Sequence, residues 1–281
     1  MKKIAVVTCV ELPEPDPDQE PLLDGLRGAG MQPKMLAWDD PNANPGDFDL
    51  CIMRSCWNYY INPAGFLAFV DRAATASQLV NPIDVVHWNL HKRYLKKLQA
   101  ADVPIIPTVW LDDREPGDLS ETMRTEGWDD VVIKPSVSAA SYRTERFKKD
   151  RVKKGQRFLE ELLADGDTLI QKYMSGFDEE KALVWIDGEW THAVGKSPRF
   201  AGEDEEVSDA LPMSDEERTL AAKALGCVDV DCDLLYARVD VIRDSEGKLL
   251  VSEIELVEPS LFFVQSPASL VRFVDAIGRW G

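Results

Sequence analysis

Hydrophobic residues in the first third of the chain fall alternately into short apolar runs and longer amphipathic segments. Short apolar runs bounded by turn-forming residues are typical of buried strands, whereas apolar residues spaced three or four apart indicate helices. Strands that alternate with helices in this way favour a parallel sheet. The predicted elements are a strand at Ile4 to Thr8, a helix at Pro21 to Gly30, strands at Pro33 to Trp38 and Phe48 to Met53, and a helix at Pro63 to Ser77.

The loop after the third predicted strand concentrates aromatic and polar side chains. It reads Arg54-Ser55-Cys56-Trp57-Asn58-Tyr59-Tyr60 and follows the carboxyl end of a strand, where open α/β sheets bind their ligands. A packed loop with aromatic anchors is the alternative. No Gly-x-Gly-x-x-Gly motif follows the first strand, so the sequence does not predict a dinucleotide site there.

A basic helix and three apolar strands are predicted in the middle of the chain. The helix runs from Asn89 to Ala101, carries Lys92 and stops before a proline. Its lysines are typical of a solvated face. The strands are Ile105 to Leu111, Val131 to Pro135 and Thr168 to Met174.

Lys134 lies at the end of an apolar strand and precedes a loop of small residues. A lysine in such a strand is costly unless an anion neutralises it. The small and hydroxyl side chains of the loop, Ser136 to Ser141, let backbone N–H groups approach phosphate oxygens closely. The loop contains no glycine and is therefore a weaker phosphate loop than most.

Further along, the sequence predicts a tight hairpin and a capped helix. Ala182 to Trp185 and Trp190 to Val194 are apolar strands joined by Asp187-Gly188, a strong hairpin signal. The helix Ser214 to Leu225 begins with the Ser-x-x-Glu pattern of a capping box.

Two runs near the C-terminus alternate polar with apolar residues around a turn at Glu246-Gly247. Antiparallel pairing about that turn places Asp240 opposite Glu253 and Arg238 opposite Glu255. A bulge at the glycine would shift this register by one residue. The apolar residues expected on the opposite, core-facing side are Val239, Val241, Ile254 and Leu256.

The charged face of this hairpin is the most informative feature of the chain. Like charges directly opposite each other destabilise a sheet, so Asp240, Glu253 and Glu255 are expected to converge on a hard cation. Mg²⁺ fits, because it accepts one or two carboxylates and completes its shell with water and phosphate oxygens. The alternative is a solvated face with an ordinary pair between Arg238 and Glu255.

Composition narrows the class of protein. A net charge of −18 over 281 residues leaves no basic surplus for the phosphates of a nucleic acid. No stretch approaches the roughly 18 apolar residues of a membrane span, so we expect neither nucleic acid nor membrane as a partner. Five cysteines, an odd number, are expected to be reduced thiols of a cytoplasmic protein. A structural zinc site is not predicted, since only three histidines are present.

The order of these segments resembles the ATP-grasp superfamily over nearly the whole chain. The most specific parts are Ile133-Lys134-Pro135, Arg238-Val239-Asp240 and Glu253-Ile254-Glu255. In that family the last motif more often reads Glu-x-Asn, so Glu255 stands in place of an asparagine and adds negative charge. The segments 54–60, 192–198 and 255–263 look most like the branch near glutathione synthetase that includes the cyclo-ligase of cycloserine biosynthesis.

The resemblance implies an α/β fold with α+β lobes. An N-terminal parallel-sheet domain, residues 1–88, would precede a two-lobed ATP-grasp domain. Its lid lobe would span residues 89–174, and its C-terminal lobe with the metal site would span residues 175–281.

The resemblance also implies how ATP is bound. Lys134 would contact the α and β phosphates, and Lys92 would be a second phosphate or nucleotide contact. The loop that carries Ser136, Ser138 and Ser141 would close over the phosphates.

The adenine and ribose are assigned in the same way. Backbone groups of Gln171, Lys172, Tyr173 and Met174 would contact the adenine edge, with the last two side chains as walls of the ring site. The ribose hydroxyls would be held by one of three acidic residues, between which the sequence does not choose: Asp178, Glu179 or Glu180.

Two cations and three carboxylates would serve the reacting phosphoryl group. Lys196 and Arg238 would face the γ-phosphoryl, and Asp240, Glu253 and Glu255 would hold one or two Mg²⁺, with Mn²⁺ as an alternative.

The activity implied is that of an ATP-dependent carboxylate–amine ligase. It would act through an acylphosphate on a small amino-acid-like or peptide-like substrate and release ADP and phosphate. A small-molecule kinase and a non-catalytic nucleotide-binding protein are the alternatives. A homodimer is compatible with the resemblance. Candidate contacts to the carboxylate and amine substrates are Arg54, Trp57, Asn58, Tyr59 and Glu258.

Overall fold

A computed structural model describes residues 1–174, 180–197, 206–230 and 233–280. Within them the chain forms three four-stranded sheets, each made from strands that are close in sequence. The predicted mixed α/β fold, with a parallel sheet at the N-terminus, is confirmed.

The first sheet is parallel and has the order β2-β1-β3-β4. Residues on both faces of β1 and β3 are buried, which explains their near-continuous apolar sequences. The short edge strand β4 was not predicted. The elements are β1 (Lys3–Thr8), α1 (Gln19–Gly28), β2 (Gln32–Ala37), β3 (Leu50–Ser55), α2 (Pro63–Ala76) and β4 (Gln78–Val80).

The predicted helix from Asn89 to Ala101 is confirmed only over α4 (Tyr94–Ala100). Its first turn is wrong, because residues 90–93 are not helical and Asn89 ends a separate short helix, α3 (Ile83–Asn89). The side chain of Asn89 accepts from the Leu256 N–H and donates to the Ile254 carbonyl, at 2.7 and 2.8 Å. Such tertiary hydrogen bonds favour a break in the helix over its continuation. The residue freed from the helix is Lys92, which is buried rather than solvated.

The second sheet is antiparallel, with the order β5-β8-β6-β7. Helices α5 and α6 pack on it around a core that includes Ile133, Phe147 and Leu159. Its elements are β5 (Thr108–Leu111), α5 (Leu119–Glu126), β6 (Asp130–Pro135), β7 (Glu145–Lys148), α6 (Val152–Asp165) and β8 (Thr168–Lys172).

The strand predicted from Ile105 to Leu111 is divided between two sheets. Ile105 forms a parallel bridge with Val251, and the Ile106 N–H donates to the Val251 carbonyl at 3.1 Å, so this part extends the third sheet. Only Thr108–Leu111 belongs to the second sheet.

The third sheet is antiparallel, with the order β10-β9-β11-β12. The predicted capping box is confirmed: the Ser214 side chain accepts from the Glu217 N–H, and the Glu217 side chain accepts from the Ser214 N–H. The elements are β9 (Glu180–Ile186), β10 (Glu189–Lys196), α7 (Asp215–Leu225), β11 (Tyr236–Arg243), β12 (Leu249–Glu255) and α8 (Pro267–Arg279), the last of which was not predicted.

The register of the β11–β12 hairpin is as predicted at its charged end. Arg238 pairs with Glu255, and Asp240 pairs with Glu253. A bulge is present, but it lies between Asp240 and Val241 and not at the turn glycine. The four apolar residues expected on the other face all belong to one buried cluster.

The first and third sheets share a core. One buried cluster contains Ile4 and Val6 of β1, Val184 of β9, Tyr236 of β11 and Phe273 of α8. A second cluster joins α4 to the third sheet. The lobe boundaries at 88/89 and 174/175 stay a proposal. No helix within the described ranges is long and apolar enough to cross a membrane.

Gly155 of α6 provides a test of this packing. A Cβ there would lie 2.6 Å from Leu119 Cδ2 and 2.9 Å from Phe147 Cγ. We expect Gly155→Ala to destabilise the fold by about 1–3 kcal/mol through overpacking, which lowers the thermal midpoint by several degrees. Gly28→Ala is the matched control, because a Cβ at that helix position meets no atom within 4 Å. Equal midpoints for the two variants would contradict the packing described.

Candidate active site

A cavity of about 260 Å³ lies between the second and third sheets. The loop after β3, with Trp57 and Tyr59, lines part of it. All three sheets therefore contribute to one site. The predicted site residues that line it are Trp57, Tyr59, Lys92, Lys134, Ser138, Ser141, Gln171, Lys172, Tyr173, Met174, Glu180, Lys196, Arg238, Asp240, Glu253, Glu255 and Glu258.

Asp240 is the centre of a buried ion-pair network. Arg238 donates two hydrogen bonds to it, from Nε to Oδ1 at 2.8 Å and from Nη2 to Oδ2 at 3.0 Å. Lys196 Nζ, at the end of β10, lies 2.5 Å from Oδ2. Burial raises the pKa of Asp240, but the two cations outweigh burial and hold the pKa below its ordinary value.

The other carboxylates of the network have their own cations. Arg238 also donates to Glu255, its partner across the hairpin. Lys92 Nζ lies 2.8 Å from Glu253 Oε1, and Lys196 Nζ lies 3.1 Å from Glu180 Oε2. Because every one of these charges is paired, the cavity does not contain the solvated hairpin face that was the alternative.

Glu253 and Glu255 differ in how far neighbouring cations offset the cost of burying their negative charge. Burial raises the pKa of Glu253, but Lys92 and Lys134 more than offset it and lower the pKa. For Glu255, burial outweighs the attraction of Arg238, and repulsion from Asp240 and Glu253 adds to it. The pKa of Glu255 is raised to about 8.

The carboxylates of Asp240, Glu253 and Glu255 are chemically suited to a hard divalent cation, since carboxylate oxygens are the ligands that Mg²⁺ prefers. Among the described residues, however, no group of three or more His, Cys, Asp or Glu side chains already converges as a metal site. A metal ion would have to displace the ion pairs of Arg238, Lys92 and Lys196 with Asp240, Glu253 and Glu255.

Lys134 fits the phosphates of a nucleotide. It lies half-buried in the cavity wall, and no residue in the described ranges hydrogen-bonds or ion-pairs with its ammonium group. Burial lowers its pKa, with Glu253 opposing that effect and Lys92 adding to it. A phosphate in the cavity would supply the missing counter-charge.

The small-residue loop after β6 lines the same cavity as Lys134. Ser138 and Ser141 line the cavity, whereas Ser136 does not and instead accepts the Lys92 N–H at 2.9 Å. The carbonyl of Ser138 accepts from Lys92 Nζ at 3.0 Å and from the Tyr59 hydroxyl at 3.1 Å. These bonds connect the loop to Lys92 and to Tyr59 of the N-terminal part of the chain.

The segment at the end of β8 forms the predicted adenine side of the cavity. The backbone N–H groups of Lys172 and Tyr173 already donate to Pro107 and Asp130, so an adenine would use the remaining backbone groups. The Tyr173 ring lies under the Arg146 guanidinium, whose Cζ is 3.4 Å from the ring centroid. Gln171 directs its amide to the Thr108 hydroxyl at 2.9 Å.

The candidates for substrate contact divide into two groups. Trp57, Tyr59 and Glu258 line the cavity. Arg54 and Asn58 do not: Arg54 is buried and donates to the Pro259 carbonyl at 2.7 Å, and Asn58 links Trp38 to Asp39. Both are therefore supports of the wall, and their prediction as direct contacts is not supported by this arrangement.

Some lining residues were missed, and two of the three ribose candidates lie outside the described residues. Glu179 and Asp178 belong to a range that the structure does not describe, whereas Glu180, the third ribose candidate, lines the cavity. Glu14 also lines it from the loop after β1. The rule that ligands bind beyond the carboxyl ends of parallel strands would have indicated Glu14, since it applies to β1 as well as to β3.

The chain was compared with known proteins. Residues 4–81 match the family described as D-cycloserine synthetase DcsG, N-terminal domain. The cycloserine biosynthesis protein DcsG of Streptomyces lavendulae is 31% identical over 296 residues, which cover 98% of each chain.

Solved structures agree with this. The crystal structure of D-cycloserine synthetase DcsG matches with a TM-score of 0.89, 29% identity and 99% coverage of both chains. A D-alanine–D-alanine ligase from Bacillus anthracis in complex with ATP matches with a TM-score of 0.68, 17% identity, and 99% and 96% coverage, a likeness of fold alone.

The raised pKa of Glu255 predicts how stability depends on pH. Between pH 4.5 and about 8 the folded protein keeps a proton on Glu255 that the unfolded chain has lost, so raising the pH lowers the stability of the wild type. Glu255→Gln cannot ionise. We therefore expect the thermal midpoint of the variant, relative to wild type without metal or nucleotide, to rise steadily from pH 5 to 8.

Glu217→Gln is a control of opposite sign. Burial raises the pKa of Glu217, but its bonds to Ser214 and Lys181 outweigh burial and lower the pKa. That stabilisation is present above the unfolded pKa and is lost in acid, so this variant should lose most relative to wild type near neutral pH. A pH-independent difference for Glu255→Gln would contradict the account of its environment.

Proposed function

The chain belongs to the family of the cycloserine biosynthesis protein DcsG, and on that premise we propose that it joins a carboxylate to an amine through an acylphosphate on a small amino-acid-like substrate. Membership of this family makes the protein an ATP-dependent C–N ligase with the ATP-grasp fold. The resemblance to that superfamily, and to its cycloserine branch, is thereby confirmed. These ligase relatives favour a ligase over the kinase and the non-catalytic protein.

One observation carries the proposal: the lining of one cavity includes the four cations and the three carboxylates that the resemblance assigns to the phosphates and the metal. Lys92, Lys134, Lys196 and Arg238 place positive charge beside a bound triphosphate, although the chain as a whole is strongly acidic. Three of them are paired with carboxylates of the cavity, whereas Lys134 has no carboxylate partner among the described residues. Local cations of this kind are what a nucleotide needs in such a field. The carboxylates are Asp240, Glu253 and Glu255.

We assign the ends of the nucleotide from the elements that line the cavity. Lys134 and Lys92 hold the phosphates under the loop of Ser138 and Ser141. The segment from Gln171 to Met174 holds the adenine, and Glu180 is the ribose contact among the described acidic residues. Lys196 and Arg238 face the phosphoryl group that is transferred.

Asp240, Glu253 and Glu255 would hold Mg²⁺ together with the phosphate oxygens. The metal, when bound, neutralises charge on the transferring phosphoryl group. Asp240 and Glu253 would be ionised before the metal binds, since the pKa of each is lowered. A metal that takes over these carboxylates would release Arg238 and Lys196 to face the phosphates.

The chemistry then needs no nucleophile from the protein. An oxygen of the substrate carboxylate attacks the γ-phosphorus, the bond to the β-phosphate oxygen breaks, and ADP leaves. The nitrogen of the amine attacks the activated carbonyl carbon, the C–O bond to the phosphoryl group breaks, and phosphate leaves with the electron pair. Arg238 and Lys196 stabilise the charge that develops on the phosphoryl oxygens. The loop over the cavity excludes water, which would hydrolyse the acylphosphate.

The relatives support a small amino-acid-like substrate. One is named as a D-cycloserine synthetase and another as a D-alanine–D-alanine ligase. We propose that this chain likewise closes or joins an amino-acid derivative. In this view residues 1–88 contribute the substrate wall at Trp57, while the lid lobe and the C-terminal lobe enclose the nucleotide.

Binding of ATP can be tested before any substrate is known. A ligand that binds only the folded state raises the thermal midpoint by mass action. We expect ATP with Mg²⁺ to raise the midpoint of the wild type and to have at most a small effect on Lys134→Met, because the half-buried ammonium group is lost. Lys153→Met, an exposed lysine of α6, is the matched control and should respond like the wild type. Equal shifts in all three proteins would contradict the phosphate role of Lys134.

The ligase chemistry is tested by trapping the acylphosphate. The protein is incubated with ATP, Mg²⁺, hydroxylamine and a panel of D- and L-amino acids and their O-amino derivatives. We expect hydroxamate and ADP to form together with at least one compound of the panel. Asp240→Asn should lower the rate of hydroxamate formation by about 10²-fold or more, because removal of one electrostatic group from a reacting centre has effects of that size. ADP formed with a stable phosphorylated product and no hydroxamate would instead indicate a kinase.

A further inference from the structure

The segment that follows β12 is held in place by side chains. Four successive carbonyl groups accept hydrogen bonds from side-chain donors in the first sheet, its loops and β11. The bonds are Asn81 Nδ2 to the Leu256 carbonyl at 2.8 Å, the Tyr236 hydroxyl to Val257 at 2.8 Å, Trp57 Nε1 to Glu258 at 2.9 Å, and Arg54 to Pro259 at 2.7 Å.

All four donors are buried. Three of them, Asn81, Trp57 and Arg54, come from the N-terminal sheet or the loops beyond it. A catalytic group has to be held within a fraction of an ångström of its working position, and support by buried hydrogen bonds is the usual means. The segment therefore has the rigidity that a reacting side chain needs.

Glu258 is the titratable residue that this segment contributes to the cavity lining. Only 8% of the residue is exposed, and it lines the cavity together with Trp57 and Tyr59. No lysine, arginine or histidine nitrogen of the described residues forms an ion pair with it. A buried carboxylate without a cation is costly when ionised, so a bound ligand that brings a proton or a positive charge would relieve the cost.

The other carboxylates of the cavity are engaged differently. Asp240 is gripped by two cations, and Glu253 and Glu180 each have a lysine within 3.1 Å. Glu255 receives a hydrogen bond from Arg238. Their oxygens are occupied by cations, whereas those of Glu258 have no such partner among the described residues.

The surroundings of Glu258 decide its protonation. Burial raises the pKa of Glu258 to about 7, with Lys92, the Tyr59 hydroxyl and Arg238 opposing the rise and Glu253 adding to it. A carboxylate with a pKa near the working pH is well matched to proton transfer. The titratable and charged groups that act on it from the neighbouring elements are Lys92, Tyr59, Glu253 and Arg238, and those on which it acts in turn include Cys56 and Tyr236.

We propose that Glu258 is the general base of the second half-reaction and takes the proton of the attacking nitrogen. This rests on the function proposed above. As the C–N bond forms, the N–H proton passes to a carboxylate oxygen of Glu258. The C–O bond to the phosphoryl group breaks, and phosphate leaves with the electron pair. The protonated Glu258 then loses its proton to solvent as the product leaves.

The position of Glu258 agrees with this role. It lies within electrostatic reach of Lys92 and Arg238, at the phosphate side of the cavity, and beside Trp57 and Tyr59 on the substrate side. The nitrogen that attacks has to be placed at this junction, since the activated carbonyl forms where phosphates and substrate meet. A base there can reach the nitrogen without contacting the nucleotide.

The test separates the two half-reactions. The probe is β-aminooxy-D-alanine, the amino acid that hydrolysis of the amide bond of D-cycloserine gives. With ATP and Mg²⁺, formation of the cyclic amide reports both half-reactions. Hydroxamate formed in excess hydroxylamine reports only the first, because a second hydroxylamine molecule can take the proton of the one that attacks. Rates are measured from pH 5.5 to 9 for wild type, Glu258→Gln, Glu258→Asp and the exposed control Glu246→Gln.

We expect Glu258→Gln to lower the rate of cyclic amide formation by about 10²- to 10⁴-fold and hydroxamate formation by less than about tenfold. The wild-type rate should fall below about pH 7, and that acid limb should be missing in Glu258→Gln and present, at a lower rate, in Glu258→Asp. Glu246→Gln should match the wild type. The thermal midpoint of each variant reports whether it is folded.

Other results overturn the assignment. If Glu258→Gln keeps the acid limb of the wild type, or if amide and hydroxamate formation fall in parallel, Glu258 binds or positions the substrate and is not the base. If Glu258→Gln does not fold, Glu258→Asp decides the question. A pH profile of Glu258→Asp that lacks the acid limb then overturns the assignment equally. If the wild type forms neither product from the probe or from the amino-acid panel, the proposed function fails and this assignment fails with it.

Discussion

The site depends on the mutual neutralisation of buried charges. Removing an ionised side chain from water costs several kcal/mol unless an opposite charge and hydrogen bonds replace the water. Asp240 meets this condition through Arg238 on its own strand and Lys196 on β10, which is two strands away in the sheet. The positions of β9, β10, β11 and β12 are therefore coupled: a slip of one residue in the hairpin would turn Arg238 and Asp240 to the apolar face and leave Lys196 without its counter-charge.

The same constraint explains why the cavity lies between sheets. The third sheet supplies the carboxylates, Lys196 and Arg238, the second supplies Lys134, and the turn before α4 supplies Lys92. The junction is held by polar side chains that replace strand pairing: Asn89 bonds to Ile254 and Leu256, and Asn81 to Leu256. The loop that carries Trp57, the carboxylates of β11 and β12, and the lysines that line the cavity are thus fixed relative to one another by bonds between sheets.

Much of the fold and of the candidate site could be predicted from local sequence patterns. Alternation along 236–242 and 251–258 gave the faces of the hairpin, and turn chemistry gave the pairing of Arg238 with Glu255. The bulge beside Asp240 was not predicted, because a bulge depends on how the strand curves against its neighbours. The predicted start of the helix at Asn89 was wrong for a similar reason, since the two hydrogen bonds that Asn89 makes in place of a continued helix are to residues more than 160 positions away.

The sequence by itself determined the alternation of strands and helices, the faces of the hairpin and, through motifs at Lys134, Arg238 to Asp240 and Glu253 to Glu255, the ATP-grasp fold. These properties depend on residues close together in the chain, where periodicity and turn chemistry act directly. Only the tertiary structure decided which charges are paired, that Arg54 and Asn58 support the wall while Trp57 and Glu258 face the cavity, and that Glu258 has no cation among the described residues. Burial and electrostatic neutralisation are properties of the space around a group, and that space is filled by segments that are distant in the sequence.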